Sequence, residues 1–239
     1  MAEEEIAKHT KKIYKTWFNK ELSIWHKLSE FLIEIIIIVF AVTISIWFHN
    51  LSEHKHQQED VKQFLVGLKS DLTQDIQEIK NDMQSFSNQH IIFSYLAELK
   101  KNELPNKDSL IKYRNWIYNA TALNPNDGRF QGFKSSGKIG TIENKELQND
   151  IMDLYEEDIP MLLASTTTYN NTKMQFLEFL IKNEKRVTDS TKNTVNILSE
   201  DEAFNLSRAL STPDQTLERY QMCMDLMHKI IGEIDKEYN

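Results

Sequence analysis

Apolar positions along this chain follow two rhythms, one continuous and one helical. From Phe31 to Phe48 they run almost unbroken (FLIEIIIIVFAVTISIWF), interrupted chiefly by Glu34, Thr43 and Ser45. Roughly 20 apolar residues rising 1.5 Å each span the hydrocarbon core of a bilayer, so this stretch is expected to be a transmembrane helix. Thr43 and Ser45 suit such a helix, because their hydroxyls can bond to carbonyls one turn back. Trp25 and Trp47 stand where interfacial aromatic belts lie. A buried core helix fits less well, since the neighbouring segments are too polar to cover every face. A cleaved signal peptide also fits less well: its apolar stretch should begin nearer the N-terminus, with a small-residue cleavage site after it. The expected division is a cytoplasmic amphipathic segment (1–28), a transmembrane helix (29–50) and an extracytoplasmic helical-bundle domain (51–239).

Elsewhere apolar residues recur every three or four positions. Ile13, Tyr14, Trp17, Phe18, Leu22 and Trp25 alternate with lysines, the pattern of a helix lying on the inner leaflet. After the span, Val61, Phe64, Leu65, Leu68, Leu72, Ile76, Ile79, Met83 and Phe86 keep helical spacing to about Leu99. So narrow a seam packs against another helix, from this chain or a sister chain. Pro105 breaks the pattern, and a helix with Leu110, Tyr113, Trp116 and Ile117 follows from about Ser109 to Ala122. LNPNDGRFQGFKSSGKIG reads as loop. Helices resume near Ile142, with Leu147, Ile151, Leu154 and Tyr155, and again after Pro160, with Leu162, Tyr169, Phe176 and Leu180. NEKRVTDSTKNT reads as a polar connector. Thr212-Pro213-Asp214-Gln215 opens the last helix as a capping box with proline at its first position, and Leu217, Tyr220, Met224, Met227, Ile231 and Ile234 form its seam. Strand-like alternation is missing. The expected fold is all-α: one N-terminal transmembrane helix continuing into a long helix, with an extracytoplasmic antiparallel helical bundle.

Composition sharpens this picture. Six Gly and four Pro in 239 residues leave few turns. A mean hydropathy of −0.51 limits the membrane part to a single anchor. The net charge of −8 argues against nucleic acid as a partner, and the lone Cys223 excludes an intramolecular disulfide framework. Six lysines precede the span (Lys8, Lys11, Lys12, Lys15, Lys20, Lys27), whereas Lys55, Lys62 and Lys69 follow it among acids. The positive-inside rule then favours a cytoplasmic N-terminus, with the C-terminal domain periplasmic and the anchor in a bacterial inner membrane. Glu34 is the exception inside the span, and an intramembrane acid is a functional-site hypothesis by default. It lies about one turn in, so it either stays near the headgroups or pairs with a basic residue there, or it meets a polar group on a neighbouring transmembrane helix. With Thr43 and Ser45 it marks a possible intramembrane interface.

Motifs for chemistry are weak. Gly132, Gly137 and Lys138 approach a P-loop, but Ile139 stands where the magnesium-binding hydroxyl belongs. Ser135 and Lys138 form a Ser-x-x-Lys whose partner motifs are missing. His49, His54 and His56 do not share a helix face well enough for a ligand set. Glu156 and Glu157 are more simply a helix end. No catalytic residue, cofactor or metal is expected.

The segment FKSSGKIGTIENKELQNDIMDLY resembles one in an uncharacterised family of single-pass bacterial membrane proteins common in Bacteroidota. Phe133, Ser135, Ser136, Gly137, Ile142, Asn144, Glu146, Leu147 and Tyr155 carry the match, and Glu34 and Asn50 match that family's membrane helix. Ile33 and Ala41 depart from it, standing where the family has glycine. The resemblance implies an inner-membrane anchor with an extracytoplasmic helical domain, and brings no activity. Ser135 or Ser136 with Gly137 would shape a tight entry into a helix starting near Thr141. Phe133, Ser135, Ser136, Gly137 and Lys138 make a possible partner-binding loop. The expected role is a non-enzymatic scaffold or accessory subunit of an envelope complex, bound to the lipid bilayer and to itself or a protein partner. The alternative is a sensory bundle with a ligand pocket lined by Trp116, Tyr169 and Phe176.

Overall fold

The computed structural model describes residues 7, 8, 10–12, 14, 23–188 and 192–238, with backbone alone at 26 and 27. Ile13, Trp17, Phe18 and Leu22 of the N-terminal stripe lie outside the described residues. The described chain is all-helical, and its contacts divide it into two units, Met1–Asp60 and Val61–Asn239. One helix, α1 (Ile24–Ala97), contributes to both.

In the first unit, Lys8, Lys11, Lys12 and Tyr14 are helical and exposed. Along α1, large apolar side chains from Leu32 to Leu51 stand exposed, Ile36, Phe40 and Trp47 among them; only the face of Phe31, Glu34 and Ile38 is covered, and from Val39 to Leu51 every side is open. The stretch contains a window of mean hydropathy 2.7, and the helix is long and apolar enough to cross a membrane. Thr43 Oγ1 donates to the Val39 carbonyl at 2.7 Å and Ser45 Oγ to that of Ala41 at 2.8 Å, so neither hydroxyl adds an unmet polar group to the apolar surface.

The second unit is built around the rest of α1. Val61, Phe64, Leu65, Leu68, Leu72, Ile76, Ile79 and Phe86 are buried against this chain's own helices. Next come α2 (Lys107–Tyr118), α3 (Gly128–Ser135), a 3-10 turn (Lys138–Thr141) and α4 (Lys145–Asp153). A π-helical turn (Leu154–Asp158) joins α4 to α5 (Ile159–Asn183), and α6 (Thr194–Ile197), α7 (Asp201–Leu210) and α8 (Asp214–Tyr238) follow. The pairings fix direction. Lys69 meets Asp235, Asp82 meets Tyr220 and His90 meets Ser211, so α8 runs antiparallel to α1. Phe86 packs on Tyr169, Gln89 bonds Lys173 and Phe93 packs on Phe176, so α5 runs parallel to α1. The bundle is therefore mixed, not wholly antiparallel.

Three local expectations are corrected. The glycine-rich stretch is largely helical. Phe130 stacks on Tyr155 at 4.4 Å between ring centroids and Phe133 on Phe64 at 4.0 Å. These contacts outweigh the penalty of about 1 kcal/mol for a glycine inside a helix. Pro160 does stand in the first turn of α5, but no break precedes that helix, which follows α4 directly in one helical run from Lys145 to Asn183. Proline removes a donor and crowds the carbonyl one turn back. The widened turn just before it, closed by Ile159 N–H to the Leu154 carbonyl, supplies the room. Finally, α7 was not anticipated, and the buried stripe of α8 is Tyr220, Cys223, Met227, Ile230 and Ile234. Leu217, Met224 and Ile231 flank that stripe, partly buried.

Candidate functional site

Glu34 is 2% exposed although it lies on the apolar part of α1. Lys12 Nζ donates to its Oε1 at 2.6 Å. That hydrogen bond and the opposite charge hold the Lys12 ammonium above its ordinary range. The first unit thus places a cation from the N-terminal segment against the acid in the apolar stretch of α1. Thr43 and Ser45 bond within their own helix and share no contact with this pair.

The segment around Gly137 closes one helix instead of opening the next. Ser135 Oγ donates to the Gly132 carbonyl and Ser136 Oγ to that of Phe133, at 3.1 and 2.7 Å. Gly137 takes φ 76°, and its N–H donates to the Lys134 carbonyl. Such a left-handed residue ends a helix at least cost when it is glycine. The following α4 begins at Lys145, capped by Asn144, whose Oδ1 accepts from Leu147 N–H at 3.1 Å. Phe133 faces the core, while Ser135, Ser136, Gly137 and Lys138 are exposed. The P-loop-like residues therefore form the end of α3 and the turn after it.

Acidic side chains converge where α4 meets α8. Glu146, Asp150 and Glu233 surround Lys229 Nζ at 3.0, 2.7 and 3.8 Å. Hydrogen bonds to Asp150 and Glu146 raise the Lys229 pKa. The centre of the cluster is filled by an ammonium group, which satisfies the charge a cation would otherwise neutralise.

The pocket expected among Trp116, Tyr169 and Phe176 is filled core. Tyr169 OH donates to the Leu210 carbonyl at 3.1 Å, and Phe176 is fully buried edge-on against Phe93. Beside them lies a buried polar cluster that sequence reasoning missed. Lys173, 1% exposed, donates to Gln89 Oε1 at 2.6 Å, to the Trp116 carbonyl at 2.7 Å and to the Asn119 carbonyl. Burial pulls its pKa down to about 7. Gln89 and Asn170 reach Thr121. Glu78 accepts from Asn124 N–H, and the fully buried Asp75 accepts from Asn126 N–H and Nδ2. Together these groups fasten the extended segment 119–127 to α1 and α5. One signal was available: Lys173 interrupts the apolar stripe Leu162, Tyr169, Phe176, Leu180.

A cleft of about 510 Å³ opens between α2, the end of α5 and α6. Lys107, Ile111, Arg114 and Tyr118 line one wall at helical spacing, facing Leu180, Glu184, Thr194, Val195 and Leu198. Glu184 is saturated: Lys192 Nζ donates at 2.7 Å, Thr194 Oγ1 at 2.5 Å and Tyr118 OH at 3.4 Å. Burial disfavours its charge, but the bonds from Lys192 and Thr194 prevail and hold the carboxyl below its ordinary range.

Against these features stands a match to a family model described as "Family of unknown function (DUF6090)", over residues 34–193. The chain belongs to DUF6090. The matched region runs from Glu34 through α1 to α5 and the connector after it. It therefore holds Glu34, the Gly137 turn, the buried lysine and most of the cleft wall. No curated protein and no solved structure matches this DUF6090 member.

Proposed function

We propose that this DUF6090 chain is a non-enzymatic, membrane-anchored scaffold or accessory subunit of a bacterial envelope complex, acting through helix–helix association. The observation that carries the reading is the apolar stretch of α1, bare from Val39 to Leu51 in an otherwise charged chain. In this reading residues 29–50 cross the inner membrane, the lysine-rich N-terminus stays in the cytoplasm and residues 51–239 lie in the periplasm. Lys12 neutralises Glu34 near the inner headgroups. The seam from Val61 to Phe86 is occupied by the chain's own helices. Association with another copy or a partner then falls to the span and to the bundle's outer surface.

Native mass determination of the full-length protein in mild detergent tests this, with Glu34→Leu and Lys12→Gln alongside. The expected result is a discrete oligomer or fixed heterocomplex that loosens in Glu34→Leu. A monomer indifferent to both substitutions would sink the scaffold reading. A second reading, a sensory bundle that passes a signal to a partner membrane protein, is favoured by one observation, the cleft beside α2.

A further inference from the structure

We infer that the cleft between α2, the end of α5 and α6 is a binding site for a single-chain amphiphile with an anionic head. The argument begins with charge. In a chain of net charge −8, three cations line this cleft: Lys192 is paired with Glu184, whereas among the described residues the side chains of Lys107 and Arg114 make no hydrogen bond or ion pair. The one acid on the lining, Glu184, is already held by Lys192, Thr194 and Tyr118. Its side chain is only 4% exposed, so it does not neutralise the α2 cations. The cleft therefore presents uncompensated positive charge.

Apolar surface lies beside that charge. Ile111, between the two cations on the same helix face, is 74% exposed. Leu110, Ile117, Leu180, Val195 and Leu198 complete the apolar lining. A helix stripe reading cation, apolar, cation, aromatic suits no core, because its cations need water or an anion. A simple anion would leave the apolar wall wet, and a neutral chain would leave the cations unmet. An alkyl chain carrying a carboxylate or phosphate satisfies both. Arg114 can take the head through its planar fork. Lys107, two turns away and ~10 Å along the axis, adds to the field. The volume of about 510 Å³ falls within the range of small-molecule sites, about 300–1,000 Å³.

The test is calorimetric titration of the full-length chain in phosphatidylcholine nanodiscs, with empty nanodiscs subtracted. Octanoate and octyl phosphate are the probes, with octanol, acetate and inorganic phosphate as controls. Saturable binding of octanoate or octyl phosphate is expected, weakened about tenfold or more in Lys107→Gln/Arg114→Gln. The tighter of the two probes identifies the head. Ile111→Ser should weaken the alkyl anions and leave acetate and phosphate unchanged. All three positions are exposed, so an unchanged melting temperature separates lost binding from lost fold. Isotherms equal to those of empty nanodiscs would overturn the inference. So would octanol binding as tightly as octanoate, acetate or phosphate matching the alkyl anions, or indifference to the double substitution. None of these results depends on the oligomeric state that tests the scaffold reading.

Discussion

Lys173 shows most directly how one side chain can organise a region. Its three protons meet Gln89 and the carbonyls of Trp116 and Asn119, so it ties the end of α2 to α1 and α5. Truncating it to Ala leaves those acceptors buried and unmet, and is expected to cost about 2–4 kcal/mol, read from urea unfolding. Its pKa, pulled down to about 7 in the fold, also sets a pH dependence. The unfolded lysine keeps an ordinary value near 10.4, so between these limits the unfolded chain binds more protons. Stability contributed by this group should therefore rise with pH from about 7 towards 10, by up to about 1.4 kcal/mol per unit, and be flat below 7. Unfolding midpoints at pH 7 and pH 9 should separate in the natural protein and converge in Lys173→Met. At the turn after α3, Gly137→Ala places a Cβ on a left-handed residue, at a cost of about 1 kcal/mol.

Among the elements, α2 and α4 each start on an asparagine cap, Asn106 and Asn144. Asn144→Ala should lower stability by about 1 kcal/mol, seen as a small drop in melting temperature. The seam of α1 is worth much more. Leu68 and Leu72 are fully buried, and truncating either to Ala should cost about 2–5 kcal/mol. If the seam instead served another copy of the chain, such variants would change assembly before stability, so melting and native mass together separate the two. Pro160 makes a different point. Read locally, proline marks the first turn of a new helix. A single widened turn is enough to carry one helical run past it.

For the whole molecule, the proposed membrane anchor is tested at Ile37 and Phe40, both exposed on the apolar stretch of α1. Replacing both with Lys should move the full-length chain from a carbonate-resistant membrane fraction to the soluble one. An unchanged carbonate-resistant fraction would mean that this stretch of α1 is not the anchor.

The sequence by itself determined the all-α class, the apolar stretch of α1, the seam from Val61 to Phe86, the approximate place of α2 and the opening of α8 near Asp214. Those features follow from periodicity and local chemistry, which depend on neighbours within a few residues. The same data allowed the seam to face another copy or this chain; only packing decided that it is filled by α3, α5 and α8. Packing also turned the Gly-rich loop into α3, because Phe130 and Phe133 found rings to stack on. It made α5 parallel to α1, brought Lys173 to Gln89 from 84 residues away, and filled the space where a pocket among Trp116, Tyr169 and Phe176 was expected. The cleft belongs to this second class. Lys107 and Arg114 read as ordinary surface charges in the sequence. They gain meaning only because the tertiary fold sets apolar residues and a saturated Glu184 opposite them.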